Sequence, residues 1–268
     1  MATETEGTFT IGGKELYTKT WTPQGPVKAK LVFIHGFSDH VNRYYGLFPS
    51  LAARGIQVHG FDQRGWGRSP STVPVFVMGN SMGGGQVATL ASDPAYEDLV
   101  GSIRGFVLEA PFIAFPAGEA PSAIKIFLGK LASRVLPRQQ LVNALPAEYF
   151  SRDPEVVKSV REDPLCHDTG TLEGLAGLLE RTDALASGRV RLGSKVRSLF
   201  LAHGTGDKTT SWEASRKWFD AQGLQDGRYK EYEGCYHQLH ADLCKDEFYT
   251  DVGDWILERT EDRPGPKL

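Results

Sequence analysis

"VPVFVMGNSMGGG", residues 73–85, joins two different patterns. Its first half is an apolar, β-branched run of the kind that forms a buried strand, and its second half is a cluster of small residues opening into the helical spacing of "QVATLASD". The turn between them, Gly79-Asn80-Ser81-Met82-Gly83, has the G-x-S-x-G form of a nucleophile elbow, so tight that small residues must flank the serine and leave its Oγ exposed. In a chain with 30 glycines the pattern alone is weak, and a glycine-rich turn carrying a passive serine is the bland alternative. Its place between a strand and a helix is what gives it meaning.

The same alternation extends to both sides. Upstream, "GTFTI" and "ELYTKTW" have the two-residue period of half-buried strands, while "KLVFIHG" (residues 30–36) is a continuous apolar run suited to a parallel strand. "NRYYGLFPSLAARG" has helical spacing and ends on Gly55, and "IQVHGFD" supplies the next strand. Downstream, "IRGFVLEAP" is another buried strand. From Pro111 to about Arg197 the rhythm changes to helical stretches at 120–136, 139–150, 153–160 and 171–186, with no convincing strand. Sheet patterning resumes with "RSLFLAHG" (197–204), a helix at 211–222, a strand at 229–234 and a final helix through "DEFYTDVGDWILERT". This predicts an α/β class: a mostly parallel twisted sheet with helices on both faces, a core of residues 1–110 and 196–268, and a helical cap insertion at 111–195.

A serine hydroxyl is a poor nucleophile at neutral pH, so a base must lie within hydrogen-bond reach and a carboxylate must orient that base. In the α/β-hydrolase architecture these follow the serine as acid and then histidine, on loops at the carboxyl ends of later strands. Asp207 stands three residues past a buried strand in "LFLAHGTGDKTT", and His237 stands just past the last strand in "YEGCYHQLH". A turn aspartate and a surface histidine are the bland alternatives. His240 is the rival base, and His203, inside a strand end, reads as a hydrogen-bonded structural histidine. The oxyanion of the tetrahedral intermediate needs backbone N–H donors. Met82, which follows the serine, and Phe37, on the turn "FIHGFSDH", are the candidates.

Composition narrows the remaining classes. Hydrophobic residues at 40% and a net charge of −3 describe an ordinary soluble domain with no electrostatic footprint for nucleic acid. No apolar run approaches the roughly 20 residues of a spanning helix. "MATETEGTFT" has neither a basic start nor an apolar stretch, so the expectation is no secretory signal and an intracellular, cytoplasmic setting. Cys166, Cys235 and Cys244 have no disulfide or zinc spacing and read as free, largely buried thiols, with Cys235 close enough to His237 to make the site thiol-sensitive.

With these motifs in order, the chain resembles the monoacylglycerol lipase branch of the α/β-hydrolase family. "FIHGFSDHVNRYY" resembles its HG-loop, "FDQRGWGRS" its next strand end, "GNSMGGG" its GHSMGG elbow, "HGTGD" and "YEGCYHQLH" its acid and histidine loops, and "YFSRDPEVVKSVREDPL" its cap segment. The resemblance covers about residues 7 to 260. It implies a triad of Ser81, Asp207 and His237, oxyanion donors at Phe37 and Met82, no metal or organic cofactor, and long-chain monoacylglycerols as substrate, cleaved to glycerol and fatty acid. Two positions depart from the family. Asn80 replaces a usual histidine beside the nucleophile, and between "GWGRS" and "VPVFVMG" a longer, helix-containing segment is reduced to "PST". A crossover between parallel strands needs about a dozen residues and a helix to cover the sheet. Residues 63–74, fully extended, reach ~40 Å and can connect the strands, but they cannot cover them. Apolar sheet surface is therefore expected to meet water, lowering stability.

The first helix of the insertion places Ile124, Phe127, Leu128, Leu131 and Val135 at helical spacing between Lys125, Lys130, Arg134 and Arg138. Such a basic amphipathic helix suits a membrane or lipid-droplet surface, and equally a cap packed on the domain below. The expected partner is a lipid ester. A lysophospholipase or carboxylesterase on the same triad, and a catalytically impaired α/β-hydrolase acting as a binding protein, are the alternative readings.

Overall fold

Alternating polar and apolar residues suit strands with one wet face, and they set the first hairpin. In the computed structural model, which describes residues 2–11, 14–36, 39–63, 65, 67–69 and 74–260, β1 (Thr3–Ile11) pairs antiparallel with β2 (Lys14–Thr22). After β3 (Ala29–Ile34), helix α1 (Leu47–Ala53) stops at Gly55, whose φ of 90° only glycine adopts without strain, and the chain enters β4 (Ile56–Phe61). These strands form a sheet in the order β1-β2-β4-β3, antiparallel except for the parallel β3–β4 pair. Its core gathers Tyr17, Trp21, Val41, Phe48, Ala52 and Val58. This unit ends at Pro74.

The unit that starts at Val75 carries the elbow. It runs β5 (Phe76–Asn80), α2 (Met82–Leu90), α3 (Glu97–Ser102) and β6 (Gly105–Glu109). The helical stretch follows, with α4 (Ala123–Val135), β7 (Gln140–Val142), α5 (Pro154–Glu162), β8 (Thr169–Thr171) and α6 (Leu172–Ala186). Then come β9 (Leu199–Gly204), α7 (Trp212–Asp220), β10 (Gly227–Tyr232) and α8 (Lys245–Leu257). A parallel sheet in the order β10-β9-β6-β5 results. Every residue of β6 and β9 is buried, and their side chains alternate between two cores. Phe106, Leu108, Leu199 and Leu201 join Ala88 of α2, Leu185 of α6 and Trp218 of α7 on one face. Val107, Phe200 and Ala202 join Phe248 and Trp255 of α8 on the other. Apolar residues at every position, rather than at alternate ones, are what a sheet covered on both faces requires.

Where the sequence reads as one continuing sheet, the strands thus fall into two, and the edge strands β3 and β5 each have one paired neighbour among the described residues. Val32 and Ile34 of β3 are 66% and 60% exposed and Met78 of β5 is 46% exposed. The insertion departs from expectation at 139–150, where a helix is replaced by β7, paired antiparallel with β8, and by a 3-10 turn at Ala147–Tyr149. Three-residue strands are too short to show a period. No helix among the described residues is long and apolar enough to cross a membrane.

Candidate active site

Ser81 occupies the single position between the last residue of β5 and the first of α2, with φ 53° and ψ −119°. A non-glycine residue there is strained, and the surroundings show what holds it. A Cβ on Gly79 would lie 2.4 Å from the Gly83 carbonyl oxygen, and one on Gly84 would lie 2.9 Å from the Cα of Pro111. Gly83 itself has open space where a Cβ would point. The close approach of strand to helix therefore depends on Gly79 and Gly84, and only the first of these belongs to the G-x-S-x-G pattern. The Ser81 N–H donates to the Glu109 carbonyl at 3.0 Å, and the Phe112 N–H donates to the Ser81 carbonyl at 2.8 Å, which tie the turn to the end of β6. Met82 is the first residue of α2, so its N–H has no carbonyl one turn earlier in the helix to bond. Phe37 lies outside the described residues.

Asp207 and His237 stand on the loops after β9 and β10, where the sequence order placed them. These loops interlock closely. The Gly206 N–H donates to the Cys235 carbonyl at 3.0 Å, the Gly234 N–H donates to Thr205 Oγ1 at 2.7 Å, and a Cβ on Gly204 would lie 2.2 Å from the Cys235 oxygen. Both side chains are buried, and Asp207 Oδ2 lies 2.8 Å from His237 Nδ1. The second carboxylate oxygen accepts the backbone N–H groups of Thr209 (2.7 Å) and Thr210 (3.1 Å). Burial alone would raise the pKa of Asp207, but the hydrogen bonds from His203 and His237 outweigh it and hold the carboxyl well below its usual range. An ionised Asp207 can only accept, so Nδ1 of His237 carries the proton and Nε2 is left as the basic nitrogen.

His240 is engaged elsewhere. Its Nδ1 lies 2.7 Å from Oε1 of the buried Glu109, and that hydrogen bond raises its pKa. No such partner ties it to Asp207. Two polar residues at the acid were not singled out as site residues in the sequence. His203 Nε2 lies 3.0 Å from Asp207 Oδ2, and the Thr210 hydroxyl donates to the same oxygen at 2.7 Å. Their spacings, four residues before and three after the aspartate, are the signal that was available.

The cysteine expectation is corrected: Cys235 and Cys244 form a disulfide, and Cys166 is a free, exposed thiol. The 3-10 turn at Leu239–Ala241 folds the intervening residues back and brings the two Cα atoms to 6.6 Å. In this form Cys235 offers no thiol beside His237. The same turn carries Asp242, fully buried, whose carboxylate accepts the N–H groups of Arg152 (2.9 Å), Tyr236 (2.6 Å) and Leu243 (2.8 Å) and the Arg152 Nε (3.1 Å). Although Cys235, Cys244 and Asp242 cluster as metal ligands would, the disulfide and these bonds account for them. The insertion thereby clasps the histidine loop, with the Gln238 N–H also donating to the Phe150 carbonyl at 2.8 Å. On α4, Ile124, Leu128, Leu131 and Val135 are exposed.

Known proteins resemble this chain over most of its length. The family described as "Serine aminopeptidase, S33" matches residues 25–73 and 70–243. A monoacylglycerol lipase of Mycolicibacterium smegmatis is 28% identical, covering 96% of this chain and 98% of its own. Human monoglyceride lipase is 26% identical over 92% of this chain and 88% of its own. The crystal structure of Paleococcus ferrophilus monoacylglycerol lipase superposes with a TM-score of 0.60 at 26% identity, covering 91% of this chain and 99% of that one. The alignment with the mycobacterial protein spans 290 positions, more than the 268 residues available, and the family match breaks at residues 70–73, in the short join before β5.

Proposed function

Because the chain belongs to the serine aminopeptidase S33 family, on the monoglyceride lipase branch of the α/β-hydrolases, and is a carboxylic-ester hydrolase, we propose that it cleaves monoacylglycerol to glycerol and a fatty acid. Ser81 Oγ attacks the ester carbonyl as His237 Nε2 takes its proton. Asp207 holds the imidazole in the required tautomer and faces the imidazolium that forms. The N–H group of Met82 receives the oxyanion. The tetrahedral intermediate collapses as His237 returns the proton to the departing glycerol oxygen, leaving an acyl-Ser81 ester. Water, deprotonated by the same histidine, then releases the fatty acid. Residues 111–195 act as a cap, and the exposed apolar side chains of α4 contact the lipid surface that delivers the substrate.

The observation that carries this reading is the 2.8 Å contact between Asp207 and His237 behind buried walls, on the loops after β9 and β10 in the same unit as a serine held at φ 53°. A fluorophosphonate probe should label Ser81 in the folded protein, and Ser81→Ala should lose both labelling and monoolein turnover. Persistent turnover in that variant would overturn the triad. Rates on monoolein, lysophosphatidylcholine and a short p-nitrophenyl ester test the head-group and chain-length assignment.

A further inference from the structure

His203 lies at the carboxyl-terminal end of β9 with none of its surface exposed. A histidine so placed must satisfy two ring nitrogens, and only one of them has a partner. Nε2 lies 3.0 Å from Asp207 Oδ2 and 3.2 Å from Thr210 Oγ1, whereas Nδ1 is buried without a hydrogen-bond partner among the described residues. Asp207, as an anion, only accepts, so the proton of His203 sits on Nε2. A charged His203 would bury a second N–H at Nδ1 with nothing to receive it, which disfavours that form. The ring is therefore neutral and serves as a fixed donor.

We infer that His203 is a positioning residue of the hydrolytic site, a neutral second imidazole that shares the Asp207 carboxylate with His237 and sets that oxygen's direction and charge. This rests on the triad proposed above. Oδ2 receives three side-chain donors, from His203, His237 (2.8 Å) and Thr210 (2.7 Å). The two histidines are the titratable groups that meet it. Because His203 is anchored in the sheet and His237 stands on a loop, the strand-borne imidazole fixes the oxygen against which the loop-borne one is oriented. By drawing charge from Oδ2, it also keeps the field on His237 weaker than a carboxylate with fewer donors would produce.

The test is a set of variants assayed on a short p-nitrophenyl ester across pH, each first checked by circular dichroism and thermal melting. His203→Phe fills the space without the donor, His203→Asn keeps polarity but is too short to reach Asp207, and His203→Gln restores an N–H near the Nε2 position. Phe and Asn should lower kcat roughly tenfold, as the loss of a hydrogen bond to a charged acceptor does, with little change in KM. They should also move the acid limb of the kcat/KM profile to higher pH, because His237 then faces a more concentrated charge. Gln should recover most of kcat and return the limb toward its original position. In an Asp207→Asn background, His203→Phe should have little further effect. Folded Phe and Gln variants impaired alike, or a Phe variant with unaltered kcat and acid limb, would overturn the inference while an inactive Asp207→Asn left the triad standing. Full activity in Asp207→Asn would overturn the triad itself, and this role with it.

Discussion

Replacing Asp242 with alanine tests how the histidine loop is held. The carboxylate is fully buried and accepts three backbone N–H groups and the Arg152 Nε, so truncation strands the N–H groups of Arg152 and Tyr236 and leaves the guanidinium without its anion. Removing one partner of a buried ion pair costs about 3–5 kcal/mol. The Arg152 side chain is 31% exposed, so water offsets part of this and the lower end, about 3 kcal/mol, is expected. That corresponds to a melting temperature lower by roughly 6–12 °C. Ester turnover should fall about tenfold or more, because Asp242 is joined to the loop that carries His237 and small misplacements of a base are expensive. Asp242→Asn, which keeps one acceptor oxygen, should fall between the two.

The pH dependence of the same variant has a definite sign. Burial raises the pKa of Asp242, but the N–H groups of Tyr236, Arg152 and Leu243 and the Arg152 side chain more than offset it, so the folded-state value lies below the ordinary 3.8. A depressed pKa contributes stability that is complete above the unfolded-state value and is lost as pH falls through the folded one. Melting curves should show a gap between wild type and Asp242→Ala that is constant from neutral pH to about pH 5 and narrows below about pH 4. A gap that widens on acidification, or a variant that melts with the wild type and keeps its turnover, would refute the reasoning.

Other substitutions probe the elbow, the core and the rival histidine. Gly79→Ala drives a Cβ to 2.4 Å from the Gly83 oxygen and should cost about 3 kcal/mol and abolish probe labelling, while Gly83→Ala, with open space, should keep or raise stability by about 0.5–1 kcal/mol; calorimetry giving the reverse order would refute this elbow geometry. Trp255→Ala empties the largest fully buried site against Phe76 and Phe200 and should cost about 3–5 kcal/mol in a denaturant titration, where a loss below about 1 kcal/mol would contradict the packing. His240→Gln should keep probe labelling where His237→Gln loses it. The hydrogen bond to Glu109 raises the pKa of His240 above 6.5, so its stabilising contribution is complete below that value and is lost as pH rises through the folded one. Melts near pH 5.5 should therefore separate His240→Gln from wild type more than melts near pH 8.5, and the opposite trend would remove that assignment.

By itself the sequence determined the class, the order of elements outside residues 111–195, and the residues offered for the chemistry, with His237 and His240 both in play. It could do so because those depend on local rules. An apolar run such as "RSLFLAHG" belongs in a buried parallel strand, and Ser81, Asp207 and His237 each follow a strand at the short distance that loop geometry requires. Only the tertiary structure decided which of two histidines meets the acid. His237 and His240 are three residues apart in one loop, and their separation follows from Glu109, at the end of β6, capturing the second at 2.7 Å. Packing in the folded chain likewise settled that Gly79 and Gly84, rather than Gly79 and Gly83, make the elbow possible, and that Cys235 is paired. The role of Asp242 rests on Arg152, which is 90 residues away and leaves no period, spacing or composition to read.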